Sequence, residues 1–292
     1  MRTHNTRYAL THRCWPALGL CIALLLPSAA RAIGWSADLG ITYDNNVTLA
    51  ENASDILSDT FVSASIAKSF SQALGEHSRL IYRPFVQVQA YDKYDGLSFV
   101  AAGVNITYQY RSSGAVLAPT WGVFAKSWIE DYKSDFRDST RYSFGTSVRR
   151  VLTDRLTFAA VLSANTRESD GLVWDTRDRS LLLNLDYELA RRATLYITLD
   201  YRDGDIVSTA VPTLTIVNAA KEIQPDDAFG GSATNRFAYR LKGQTLVGKL
   251  GLNFRLNETD SLDLSAWYAK ADANGGIRYD RTIVSVAYLT RF

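Results

Sequence analysis

From Trp35 to the last residue, apolar and polar side chains alternate with a period of two in one segment after another. Leu181, Leu183, Leu185 and Tyr187 alternate with Asn184, Asp186 and Glu188, and Leu195, Ile197, Leu199 and Tyr201 alternate with Thr198, Asp200 and Arg202. Successive side chains of a strand point to opposite faces, so each segment has one apolar and one polar face. An α-helix would scatter both sets around its circumference. The chain is therefore constrained to an all-β fold whose sheet separates two environments.

Twelve such segments are predicted. The first carries Trp35, Leu39, Ile41 and Tyr43 on its apolar face, and the third carries Leu80, Tyr82, Val86 and Val88, with Pro84 weakening one ladder bond. The tenth breaks parity: Phe237, Tyr239 and Leu241 are odd, whereas Leu246, Leu250, Leu252 and Phe254 are even, so a bulge or bend is expected near Gly243. The twelfth, Thr282 to Phe292, has Val284, Val286, Tyr288 and Phe292 on one face. Connectors alternate between shorter turns and longer polar loops, the longest running from Asp203 to Asn235. That alternation, with an even strand count, fits a transmembrane antiparallel up-and-down β-barrel. A soluble sandwich or lipocalin-like barrel would bury the same stripes inward and leaves the terminal Phe292 and the aromatic strand ends without a role.

Arg2, Arg7 and Arg13 precede an apolar run from Ala17 to Leu26, followed by Ala30-Arg31-Ala32. A cleaved signal peptide over 1–32 is expected, with the barrel over 33–292. The apolar run is too short to cross about 30 Å of hydrocarbon as a helix. Without this leader, which holds Cys14, Cys21 and four of the 32 basic residues, 28 basic residues face 30 acidic ones. No nucleic-acid footprint remains, and no disulfide framework.

If the apolar stripes face lipid, the other face lines a lumen. Its charges fall in two groups: Arg83, Lys126, Arg141 and Arg167 on strands three to seven, and Asp186, Glu188 and Asp200, with Arg202, on strands eight and nine. Opposed arcs of this kind either set up a transverse field that orients solutes, or pair across the lumen and hold it shut. Phe124, Trp128, Tyr196 and Trp267 share the inner parity and offer either a stacking track or simple bulk. Closure of strand twelve on strand one is expected to bring Arg281 and Arg291 inside with Asp38, where an ion pair would fix the register. The Asp203–Asn235 connector, with its apolar stretch Val211 to Val217, reads as a plug, a docking hairpin or a loop without a role.

His77 is the one histidine left after the leader, in a predicted turn, so no Ser-His-acid set can be assembled. The acidic runs Asp44-Asn45-Asn46 and Asp203-Gly204-Asp205 offer oxygen ligands but no EF-hand register, and read as solvated turns. No cofactor is expected.

The stretch Leu39-Gly40-Ile41-Thr42-Tyr43-Asp44-Asn45-Asn46-Val47, followed by Ser58-Asp59, resembles the opening of porin-like, largely uncharacterised Gram-negative outer-membrane β-barrels, and the terminal strand resembles their closing strand. The resemblance implies a bacterial outer-membrane location, contact with lipid and lipopolysaccharide and folding by the barrel-assembly machinery, and a strand count below that of trimeric porins points to a monomer. The resemblance also implies a channel for small polar or charged solutes, which twelve strands would make narrow, and with His77 as the single histidine after the leader no enzyme is expected. The alternatives are a non-conducting accessory barrel that anchors or assembles an envelope or export complex, with a protein partner, and thirdly an outer-membrane hydrolase.

Overall fold

The computed structural model describes residues 31–115, 117–229 and 235–292. The expected leader falls mainly on 1–30, outside the described residues; Arg31 and Ala32 open the first strand opposite Ser71 and Phe70.

The first nine strands are β1 (Arg31–Asp44), β2 (Asp59–Ala73), β3 (Ser78–Tyr91), β4 (Phe99–Arg111), β5 (Thr120–Tyr132), β6 (Ser139–Thr153), β7 (Leu156–Ser169), β8 (Thr176–Ala190) and β9 (Ala193–Ala210). A short helix, α1 (Leu214–Ala219), and a short strand, β10 (Glu222–Pro225), follow. The chain ends with β11 (Phe237–Arg255), β12 (Asp260–Ala273) and β13 (Arg278–Arg291). Each long strand pairs antiparallel with its neighbours, β9 pairs with β11, and β13 returns to β1, so twelve strands close into one barrel while β10 hangs on β11. Closure removes every edge that would otherwise leave unpaired backbone groups in lipid.

The seam aligns like with like. Tyr288 stands opposite Leu39, Val286 opposite Ile41 and Val284 opposite Tyr43, all outside. Phe292 and Trp35 exchange backbone hydrogen bonds of 3.1 and 2.6 Å. The outer face is apolar and open, with Leu39 at 55 % and Phe144 at 61 % exposure, a pattern that only a lipid solvent rewards. Aromatic residues border it: Trp35, Tyr110, Trp121 and Phe292 near the termini, and Tyr43, Tyr142, Tyr201 and Tyr268 nearer the opposite end. Trp35 and Tyr43 lie eight residues apart on β1. At ~3.3 Å per residue and a tilt of ~40°, that span is roughly 20 Å along the barrel axis, close to the height of an outer-membrane apolar band. Beside Trp35, Lys68 Nζ lies 4.8 Å from its ring centroid and 5.2 Å from that of Phe70. The long stem of this lysine lets its charge reach the headgroup level.

The two irregularities read from the sequence, at Pro84 and near Gly243, have different outcomes. The β2–β3 ladder is interrupted between Ala67↔Phe85 and Phe70↔Tyr82, beside Pro84, which has no N–H to give. By contrast β11 has no bulge: its register with β9 runs unbroken past Gly243, and its register with β12 is unbroken from Gly243 to Arg255. Gly243 instead faces Gly204 of β9, and these are the last wall contacts of β11 with β12 and of β9 with β8. A Cβ on Gly204 would lie 2.5 Å from Asp178 Cα, and one on Gly243 2.5 Å from the Asp272 carbonyl oxygen. Beyond this glycine pair the β9–β11 ribbon leaves the wall. Both of its faces are then covered, as Ser208, Thr209, Ala238, Tyr239 and Leu241 are all buried, and that is the reason for the parity break.

Candidate functional site in the barrel lumen

The end of the barrel away from the termini is capped. The expected long loop is mostly ordered structure: Asp203–Ala210 belongs to β9, and the remainder holds α1, β10 and a 3-10 turn, Asp227–Phe229. Thr213 caps α1, its Oγ1 accepting from the Ile216 amide at 3.3 Å. Ile216 packs with Ala210, Tyr239, Leu241 and Ile277. It is the only buried member of the apolar stretch Val211 to Val217, whose Leu214 is 83 % exposed. Ala228 and Phe229 pack on Leu97 of the β3–β4 loop, with Val47 and Leu57 of the β1–β2 loop alongside. Val173 and Trp174 of the β7–β8 loop cover Ala238.

Polar contacts complete the cap. The Thr209 amide donates to the Thr48 carbonyl at 2.8 Å, tying β9 to the β1–β2 loop. Arg137 of the β5–β6 loop pairs with Asp226 at 2.8 Å and stacks 3.7 Å from the Trp174 ring centroid. Asp226 also accepts from Thr209 Oγ1 at 2.6 Å, and Ser134 donates to Asp227. Loops from five other connections thus converge on the β9–β11 insertion.

The acidic runs are not solvated turns. Asp44 is fully buried, accepts from Arg281 Nε at 3.0 and 2.9 Å, and also takes the Asn46 amide at 3.0 Å. Asp205 accepts the Arg177 amide at 3.0 Å and pairs with Lys242 at 3.1 Å. Arg281 therefore has Asp44, not Asp38, as its partner; Asp38 instead accepts from Ser65 of β2, and Arg291 stands opposite Ser36.

Below the cap, the proposed lumen charges divide differently from the two arcs. Arg141 pairs with Glu130 at 2.9 Å and Arg167 lies 3.8 Å from the same carboxylate, an acid absent from the sequence-derived set. Arg202 pairs with Asp200 on its own strand at 2.7 Å. These contacts run along the wall within one arc, neither across the lumen nor as an uncompensated field. Asp186 accepts from Asn184 at 2.7 Å, and Arg83 reaches Ser36 at 3.2 Å. Glu188 lies near the terminus end of β8, exposed.

Lys126 and Lys249 sit against aromatic rings, and neither forms an ion pair within 4.0 Å among the described residues. Lys126 Nζ lies 4.2 Å from the Trp128 ring centroid and 4.8 Å from that of Phe85. Lys249 Nζ lies 4.6 Å from Trp267 and 5.1 Å from Tyr196. Phe124, Trp128 and Tyr196 each face a glycine on the next strand, Gly145, Gly103 and Gly251 respectively. A Cβ on Gly251 would fall 2.1 Å from Tyr196 Cζ, so the ring lies flat against the wall where a side chain would have stood. Much of the remaining inner face is small or hydroxylic. Ser143 bonds Asn165 at 2.7 Å, Asn165 bonds Asp178 at 2.8 Å, and Ser163 bonds Ser180 at 2.7 Å. His77 sits at the terminus end in the turn between β2 and β3. Among the described residues no group of His, Cys, Asp or Glu is placed to hold a metal.

An outer-membrane channel from Pseudomonas putida F1 has a similar structure, with 11 % identity, a TM-score of 0.55, and coverage of 92 % of this chain and 100 % of that one. The KdgM porin, solved in complex with disordered oligogalacturonate, gives 12 % identity and a TM-score of 0.42; the NanC porin gives 8 % and 0.46. Each covers 87 % of this chain and 98 % of its own. No protein-family model matches the chain, and no curated protein matches it. At such identities the shared property is the fold, and with the lipid-facing belt it makes the chain an outer-membrane β-barrel.

Proposed function

We propose that the protein is a narrow outer-membrane channel for small polar or charged solutes, shut at its outer mouth by its own loops. The termini are taken to face the periplasm, as in other even-stranded single-chain barrels. The observation that carries the reading is the inner wall. Over the membrane height much of it is small and polar side chains bonded along the strands, Lys126 and Lys249 are held on rings, and Tyr196 lies flat against the wall over Gly251. A twelve-stranded wall so lined leaves more room than the roughly eight strands that side chains can fill.

Single-channel recording in planar bilayers tests this. The whole chain is expected to stay mostly closed, and a variant lacking residues 212–235 to conduct steadily. Absence of current from both would overturn the channel reading. The cap itself favours the second reading, a non-conducting barrel that anchors an envelope complex. That reading predicts no current even after the deletion, together with co-purification of an envelope protein that the deletion abolishes.

A further inference from the structure

We infer that the lumen carries an anion-binding site at its terminus end, built from Arg79, Arg111 and Arg149, that takes a small multiply charged carboxylate or phosphate. The three arginines come from β3, β4 and β6, and they line one open cavity of about 270 Å³ together with Gln109, Gly122 and Ser147. Strand parity turns all three inward: Arg79 is opposite Gln109, and Arg111 and Arg149 are both opposite Thr120 of the intervening β5.

Arg79 Nε donates to Gln109 Oε1 at 2.9 Å, and Arg111 Nη2 donates to the Ala115 carbonyl at 2.7 Å. Neither Arg79 nor Arg149 has a carboxylate within 4.0 Å among the described residues, unlike Arg141, Arg202 and Arg281 higher in the lumen. Glu76 and His77 of the β2–β3 turn line an adjoining recess of about 400 Å³ with Arg79 and Arg111. Like charges gathered in one concavity repel unless an anion joins them, and guanidinium forks match carboxylate and phosphate oxygens in pairs. Gly122 keeps the floor open, since a Cβ there would lie 2.5 Å from Ser147 Oγ.

The site opens away from the cap, so its ligand arrives from the terminus side even while the outer mouth is shut. It gives a solute class to the channel proposed above and rests on that reading only for the ligand's onward passage.

The test is calorimetric titration of the whole barrel in zwitterionic detergent with citrate and, separately, inorganic pyrophosphate, with sorbitol as the neutral control. Saturable binding of an anion but not of sorbitol is expected. Arg79→Gln with Arg149→Gln should weaken it by about tenfold or more, Arg149→Lys by less, and Lys126→Gln hardly at all. Gly122→Val, which fills the floor without changing charge, should weaken it as well. Saturable binding of neither anion, or equal affinity in the double Gln variant, would overturn the site. The same titration in nanodiscs with and without phosphatidylglycerol separates the sources: binding lost only with the anionic lipid means a headgroup occupies the site. Because no current is read, binding without conductance would sink the channel and keep the site, and conductance without binding would do the reverse.

Discussion

Arg137 and Asp226 meet at 2.8 Å, 89 residues apart, with side chains only 10 % and 1 % exposed. The pair joins the β5–β6 loop to the cap insertion in a place that water hardly reaches. Removing one partner of a buried pair leaves an uncompensated charge and costs about 3–5 kcal/mol. Asp226→Ala is expected to release the cap, and Asp226→Asn to release it less, since an amide oxygen still accepts from Thr209. Hydrogen exchange should then show residues 222–229 losing protection while the long strands keep theirs. Unchanged protection in the Ala variant would mean that the apolar contacts of Phe229 and Ile216 hold the cap alone.

A second prediction concerns the seam. Arg281 of β13 donates to Asp44 of β1, and the ladder between these strands sets Ile283 opposite Asp44. The ion pair thus bridges the two strands that close the barrel. Arg281→Ala is expected to lower the temperature at which the folded, fast-migrating band converts to the unfolded band on a gel. Asp38→Ala, at the position where the sequence points to an ion pair, should shift it little. An equal shift for both variants would show that the seam depends on the ladder and not on this pair.

Asp138 gives a pH dependence. It sits in the β5–β6 loop beside Arg137, and burial, with Asp131, Asp135 and Asp170 nearby, pushes its carboxyl up to about 6 although the Tyr132 amide bonds it at 2.7 Å. A folded-state value raised above the unfolded 3.8 means that the ionised form is the disfavoured one. The folded loop is therefore penalised fully above pH 6, and the penalty fades as pH falls from 6 towards 4. After correction for intrinsic exchange rates, amides of 133–138 are expected to be better protected at pH 5 than at pH 7.5. Asp138→Asn should remove that difference; a difference that persists in this variant would assign it to another group.

Period two made the strands, their lipid face and the twelve-strand count legible, because burial against lipid leaves a mark on every second residue. The apposition of Tyr288 with Leu39 follows from that same face. The cap was legible only indirectly. Its partners, such as Arg137 with Asp226 and Thr48 with Thr209, come from loops far apart in sequence and follow no period. Its signals were the long Asp203–Asn235 connector, for which a plug was one reading, and the parity break at Phe237, Tyr239 and Leu241, which read as a bulge; the break marks where a ribbon stops having a lipid side. Glu130 was missed for a related reason: it is one acid on a basic arc, and only the fold brings Arg141 and Arg167 to it.

The last prediction concerns the lumen rings. Tyr196 lies over Gly251, its hydroxyl donates to Asp263 at 2.8 Å, and Lys249 sits 5.1 Å from its centroid. Gly251→Val puts atoms where the ring now is, so Tyr196 must swing off the wall and into the lumen, breaking its bond to Asp263. Overpacking of this kind costs about 1–3 kcal/mol, which a closed barrel ladder can bear without unfolding. Gly248→Ala is the control on the same strand, since its Cβ would meet only Leu199 Cδ2 at 3.9 Å. In the variant lacking 212–235, Gly251→Val is expected to lower single-channel conductance and Gly248→Ala to leave it unchanged. Equal conductance in the two would place the narrowest part of the lumen away from Tyr196, at the level of Lys126 and Trp128 or at the arginine-lined terminus end.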